Sequence, residues 1–273
     1  MLKTRVLTAL VMVTLGLTCV FALPPAGFSL VAALILLLLG GWEAARLAGF
    51  DAAPARWCFG LALCLAAAGI HAWSPRPDPT LAMACLLWLF NLAWLARPEA
   101  GRSTEVAIAV GKLTLLAIVL TATWLGLSVL QARSPWLVLQ LLIIIAAADT
   151  GAYFSGRHFG GTKLAPRISP GKTRAGAIGG LVGAALLTPL LSLWIPGTPF
   201  DPALTAFLAL GLALISIGGD LFMSLLKRHR GLKDASALFP GHGGVLDRFD
   251  SMTAVVPFYT LAVLYLSSTG AAP

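Results

Sequence analysis

Nine long apolar blocks alternate with polar connections along this 273-residue chain, at approximately 6–23, 28–42, 57–73, 80–96, 113–130, 136–154, 175–195, 203–226 and 251–266. An α-helix rises about 1.5 Å per residue, so about 20 apolar residues cross a hydrocarbon layer about 30 Å thick. The pattern predicts an all-α, polytopic integral membrane protein with about nine transmembrane helices. The second block is short, and is expected to stand nearly upright or to pair with the first across Pro24 and Pro25. The first follows Lys3 and Arg5, as a signal peptide would. Its apolar run is longer than a usual signal core and another block follows at once, so it is expected to be a permanent helix. Trp42, Trp57, Trp73, Trp136 and Trp194 stand at or near block ends, where the headgroup layer favours amphipathic rings.

Composition strengthens the membrane reading. Hydrophobic residues make up 58% and charged ones 11%, with a mean hydropathy of +0.89, more apolar matter than one soluble core of this size could enclose. A soluble enzyme and a disordered chain are both excluded. The net charge of +8 then points to anionic headgroups or a phosphorylated substrate rather than nucleic acid. Of the 19 Lys and Arg residues, only Arg76 and Arg133 fall in odd-numbered connections, and the rest lie in the N-terminus and the even-numbered ones. The positive-inside rule therefore predicts a cytoplasmic N-terminus and an outside C-terminus. Cys19, Cys58, Cys64 and Cys85 lie in apolar stretches without metal-ligand spacing, and read as small apolar packers.

Two cytoplasmic connections, 155–174 and 227–250, are the longest and the richest in functional groups. The expected organisation is an N-terminal transmembrane region of about five helices over 1–135 and a C-terminal catalytic region of about four over 136–273. Asp149 lies near the cytoplasmic end of the sixth block and Asp220 inside the eighth. A carboxylate in a span costs about 2.5–3.5 kcal/mol at mid-membrane, so it faces a polar cavity or a partner. Beside two basic loops, a functional site is favoured over a structural salt bridge. Asp220, Ser224 and Lys227 follow at i, i+4 and i+7 on one helical face, and Asp247 and Asp250 open the ninth block at i and i+3. The alternative for the last two is acidic support of a helix N-terminus. Converging carboxylates, hydroxyls and cations suit a hard metal ion beside a phosphate, as magnesium-dependent phosphoryl chemistry requires.

The sixth connection ends in Ser169-Pro170-Gly171-Lys172-Thr173. Pro166 stands where a Walker loop needs its first glycine and no strand is expected before it, so that motif is rejected. What remains is a rigid loop offering Ser169, Lys172 and Thr173 to an anion, or a plain headgroup-binding patch. The eighth connection contains Gly241-His242-Gly243-Gly244, whose lack of bulk lets backbone N–H groups approach a phosphate. His242 is placed either against substrate or in the turn. His158 and His229 read as solvated loop residues and His71 as interfacial. Gly176, Gly179, Gly180 and Gly183 have the spacing of a helix-packing face.

The second basic connection identifies a family. Ser224-Leu225-Leu226-Lys227-Arg228, then Lys233-Asp234-Ala235-Ser236, then Phe239-Pro240-Gly241-His242-Gly243-Gly244-Val245-Leu246-Asp247-Arg248-Phe249-Asp250, 27 residues end to end, resembles the motif of the phosphatidate cytidylyltransferase (CDP-diacylglycerol synthase) family. Asp149-Thr150-Gly151-Ala152-Tyr153, Ser169 to Thr173, and Gly219-Asp220 also resemble it. Before residue 143 the likeness is confined to pieces such as Leu2-Lys3-Thr4-Arg5 and Trp42-Glu43. The resemblance implies condensation of CTP with phosphatidic acid into CDP-diacylglycerol and pyrophosphate. It further implies a magnesium-dependent homodimer in the cytoplasmic (inner) membrane, with the active site on the cytoplasmic side and a second cation left open. By this resemblance Asp220 and Asp247 would be the principal metal ligands, and the residues themselves offer Asp149 as a further candidate.

The residues suit this chemistry. A phosphate monoester loses its second proton near pH 6, so it is largely ionised at neutral pH and needs no general base. The protein must bring two anions together and stabilise departing pyrophosphate. Asp220, Asp247, Lys227 and Arg228 are the catalytic candidates. Ser169, Lys172, Thr173, Ser224, Lys233, Asp234, His242, Gly243, Gly244, Arg248 and Asp250 are the substrate-binding ones. Two alternatives stay open: a related CTP-dependent membrane lipid kinase or cytidylyltransferase acting on a polyprenol-type lipid, and an anion transporter, which should show inverted repeats and interrupted helices.

Overall fold

The computed structural model describes residues 2–73, 76–197 and 200–266, without the side chains of residues 2–5, 71 and 73. The expectations for the Lys3, Arg5, His71 and Trp73 side chains and for the C-terminal end lie outside the described residues. Of the protein's described residues 76% are helical. Its helices are α1 (Leu2–Ala22), α2 (Pro25–Ala33), α3 (Gly40–Ala48), α4 (Ala53–Trp73), α5 (Asp78–Trp94), α6 (Val106–Arg133), α7 (Pro135–Phe159), α8 (Arg174–Ser192), α9 (Pro202–His229) and α10 (Asp250–Leu266). A π-helical stretch, Leu34–Leu39, joins α2 to α3 as one rod. Among the described residues six helices are long and apolar enough to cross a membrane: Pro25–Ala48, Ala53–Ile70, Val106–Arg133, Pro135–Phe159, Arg174–Ser192 and Pro202–His229. Val6–Ala22, Asp78–Trp94 and Asp250–Leu266 are shorter apolar helices. Large apolar side chains stand exposed on most of the rods, as a lipid-facing surface requires, and Trp57 and Trp194 are among them.

Several boundaries differ from the apolar blocks, each for a physical reason. The second rod is not short: it continues to Ala48 because its inner face, with Glu43, Ala44, Ala45 and Leu47, is buried. The fourth connection loses Lys112 to α6, where that lysine is buried within the helix. Helix α7 runs on to Phe159 and stops at Gly160 and Gly161, whose φ values of 56° and 83° favour glycine. His229 is not a solvated loop residue. It closes α9, with Nε2 2.7 Å from the Pro98 carbonyl and its ring against Trp94.

The all-α expectation is corrected at one place. Strand β1 (Lys163–Ala165) pairs antiparallel with β2 (Ser169–Thr173), in register Lys163↔Thr173 and Ala165↔Ser169. Pro166 cannot continue a helix, and Ile168 N–H donates to the Ala165 carbonyl at 3.1 Å to close the turn. Ile168 is buried, which anchors the hairpin in the core.

Packing of α7 on α8 is the closest in the bundle, and glycine makes it so. A Cβ at Gly180 would lie 2.9 Å from the Ala148 carbonyl oxygen, and one at Gly183 3.0 Å from that of Ala147. Polar ties cross the apolar interior. Tyr259 Oη donates to Gln140 Oε1 at 2.6 Å, and Gln140 Nε2 to Ser192 Oγ at 3.0 Å, linking α10, α7 and α8. Trp88 of α5 donates from Nε1 to the Thr253 carbonyl at 2.8 Å and meets Phe222 edge-on. Such bonds have no water to compete with them inside a bilayer.

Candidate active site

The hairpin, α7 and α9 enclose a cavity of about 440 Å³ beside the start of α10. Asp149, Lys172 and Asp220 all line it, from α7, β2 and α9 respectively. Lys172 Nζ is ion-paired with Asp220 Oδ2, and Ser224 Oγ, one turn along α9, donates to Asp220 Oδ1 at 3.3 Å. Asp149 and Asp250 both lie within electrostatic reach of Asp220 and of Lys172. At the rim Arg157 donates to Tyr153 Oη at 2.7 Å. Three carboxylates thus lie around one lysine, which a cavity filled only with water would not favour.

The second cluster is a buried knot centred on Asp247. Its Oδ1 accepts from Lys227 Nζ at 2.7 Å, and its Oδ2 from the backbone N–H groups of Ala235 and Gly244, each at 2.8 Å. Side-chain exposure is 12% for Lys227 and 5% for Asp247, so this pair is far drier than Lys172 with Asp220, at 29% and 31%. Glu43, fully buried at the end of the second rod, completes the knot. It accepts from Ser236 Oγ, from Val245 N–H at 2.9 Å and from Leu246 N–H at 2.7 Å. Arg46, one turn along, donates to the Ala235 carbonyl at 2.8 Å.

This explains the glycines differently from a bare phosphate cradle. At Gly244 a Cβ would collide with the Glu43 carboxylate, and at Gly243, where φ is +79°, it would come 2.7 Å from Asp247 Oδ2. Small residues are needed because two protein carboxylates approach this backbone. The amides of Gly244, Val245 and Leu246 are engaged by those carboxylates.

The remaining expected residues lie around these two clusters in different roles. Thr173 caps α8, accepting from Gly176 N–H at 3.0 Å, with its side chain beside the cavity. Arg228 holds the hairpin to the C-terminal end of α9, donating to the carbonyls of Ile168 at 3.3 Å and Leu232 at 3.1 Å. Lys233, Asp234 and Arg248 are exposed and have no ion-pair partner among the described residues, while Ser169 is half-buried in β2. His242 shapes the turn through its N–H to the Phe239 carbonyl at 2.9 Å, yet its Nδ1 is buried without a partner among the described residues.

Sequence reasoning missed Glu43 as the organiser of the eighth connection. The available signal was a carboxylate at the end of an apolar rod, which must find donors as surely as Asp220 does. Hard carboxylate oxygens are the donors magnesium takes, and Asp149 and Asp220 present theirs to a cavity with room for water and phosphate. Among the described residues no three His, Cys, Asp or Glu side chains converge closely enough to hold a metal by themselves. The set fits an ion completed by water and substrate.

The sequence model of the cytidylyltransferase family matches residues 3–266. A phosphatidate cytidylyltransferase of Pseudomonas aeruginosa is 36% identical over 279 aligned residues, covering 99% of this chain and 100% of that one. Phosphatidate cytidylyltransferases of Haemophilus influenzae and Bacillus subtilis are 50% and 43% identical, over 46% and 45% of this chain and 44% and 46% of theirs.

Proposed function

We propose a reaction on one premise: the chain belongs to the cytidylyltransferase family. It condenses CTP with phosphatidic acid, giving CDP-diacylglycerol and pyrophosphate. A phosphate oxygen of the lipid attacks the α-phosphorus of CTP; the new P–O bond forms as the bond from that phosphorus to the bridging oxygen breaks, and pyrophosphate departs with the electron pair. Support comes from a full-length relative of that name and from the carboxylates gathered around Lys172 in one cavity. The observation that carries the reading is Lys172 paired with Asp220 in a cavity that also holds Asp149.

Asp220 and Asp247, with Asp149, are the carboxylates assigned to magnesium, which when bound screens the charge of the triphosphate. Lys172, at the cavity wall beside Asp220, can follow charge as it moves to the leaving pyrophosphate, and Lys227, bound to Asp247, is assigned the same role. Arg228 fixes the hairpin against α9 and keeps Lys172 facing Asp220. Ser224 orients the Asp220 carboxylate. Lys233, Arg248 and Asp234 supply the exposed rim, with Ser169, Thr173, His242, Gly243, Gly244 and Asp250 shaping the substrate site.

We also place α1, α5 and α10 across the bilayer, which gives nine spans in the inner membrane with the N-terminus and the cavity cytoplasmic and the C-terminus outside. A homodimer is proposed from the family resemblance. Purified protein given phosphatidic acid, magnesium and CTP labelled at either the α- or the γ-phosphate tests the reaction. The α-label is expected in extracted lipid and the γ-label in pyrophosphate. A lipid kinase would send the γ-label to lipid, and a transporter would leave both in CTP.

A further inference from the structure

Between α1 and the rest of the bundle lies a second cavity, an apolar groove of about 310 Å³. Met12 and Cys19 of α1 face Phe28 and Ile35 of the second rod across it, and Val138 of α7 lies at its far end. The near end is formed by Phe239, Arg248 and Phe249, at the cytoplasmic side of α10. Thr8 Oγ1 donates to the Pro240 carbonyl at 3.4 Å, which sets the first turns of α1 beside that same end. From Met12 to Val20 the groove follows α1 for about 12 Å of helix rise. Among its described lining residues Arg248 alone carries a charge, and that guanidinium is exposed with no ion-pair partner among the described residues. Helix α1 touches its neighbours lightly, and Leu10, Val13 and Leu15 are exposed, so the groove opens sideways to lipid.

We propose that this groove seats one acyl chain of the phosphatidic acid substrate while Arg248 holds its phosphate. The inference rests on the reaction proposed above. A long apolar slot with one cation at one end matches an amphiphile with a tail and one anionic head. Moving a tail from bilayer to groove gains little, because both are apolar. What the groove supplies is registration: a tail lying along α1 delivers the phosphate to Arg248, whose neighbour in sequence is Asp247. Ser251, three residues on, lines the reaction cavity. The start of α10 thus stands between the two cavities, with Arg248, Phe249 and Met252 on the groove side and Ser251 on the other. Orientation of this kind converts an encounter between two anions into a positioned reaction.

Gly16 lines the groove, and a Cβ there meets nothing within 4 Å. A Cβ at this position therefore has room, and a larger residue there extends into the groove and favours the helix more than glycine does. The test uses the full chain in mixed micelles at fixed lipid mole fraction. Gly16→Phe is expected to raise KM for dioleoyl phosphatidate at least about tenfold, which is about 1.4 kcal/mol. KM for CTP and kcat with dihexanoyl phosphatidate, whose tails are too short to reach Gly16, should stay within about twofold of wild type. Val13→Phe, on the outer face of α1, should change none of these, and Arg248→Ala should raise KM for both lipids. A wild-type KM for dioleoyl phosphatidate in Gly16→Phe, or an equal loss on both lipids, overturns the groove assignment. If the wild-type protein converts neither lipid, it is the reaction itself that fails.

Discussion

Asp247 holds three parts of the eighth connection at once, through Lys227, Ala235 and Gly244. Because its pair with Lys227 is almost dry, Asp247→Asn leaves a buried ammonium without its counter-charge, a loss on the order of 3 kcal/mol. It should lower Tm clearly as well as activity, whereas Asp220→Asn, whose lysine pair is about one-third exposed, should leave Tm close to wild type. Thermal unfolding of the two purified variants in detergent checks the contrast. Glu43→Gln should also lower Tm, since one of its amide positions would donate toward the Val245 or Leu246 N–H instead of accepting from it. Asp149 and Asp220 were legible in the sequence because a carboxylate inside an apolar block has few reasons to be there. Glu43 was not, because Gly40, Gly41 and Trp42 look like the end of a span and its donors lie about 200 residues away.

Elements decide where those residues meet. The glycine face of α8 was legible from its spacing, and Gly183→Leu should push α8 off α7, since even a Cβ there would crowd the Ala147 carbonyl and Gly151. Loss of folded protein on size-exclusion chromatography is the expected result. Gly211→Leu, where a Cβ would meet nothing within 4 Å, should behave as wild type. The hairpin was not legible: strands of three and five residues are too short to show alternation, and their pairing was hidden by Pro166, Pro170 and Gly171. Yet this element places Lys172 opposite Asp220, two residues that lie 48 positions apart. The C-terminal end of α3 and the N-terminal end of α6 were cut short because burial against protein, rather than hydropathy, carried the helix through Glu43 and Lys112.

Across the whole molecule, the apolar blocks translated into rods in the expected order, while the pairing of rods could not be read from hydropathy, because lipid and protein interiors are equally apolar. Charge asymmetry still predicts an orientation. Reporter fusions after Arg133 and at the C-terminus should both report the outer side, and a cytoplasmic signal from either would remove the nine-span arrangement. In the proposed orientation the cavity, the knot and the charged end of the groove lie toward the cytoplasmic side. The most direct test of that site is CDP-diacylglycerol formation by Asp220→Asn across a magnesium titration. A loss of at least about a hundredfold at every magnesium concentration, with Tm unchanged, is the predicted result. Near-normal turnover at limiting magnesium would contradict the assignment of Asp220 to the metal and of the cavity to the reaction.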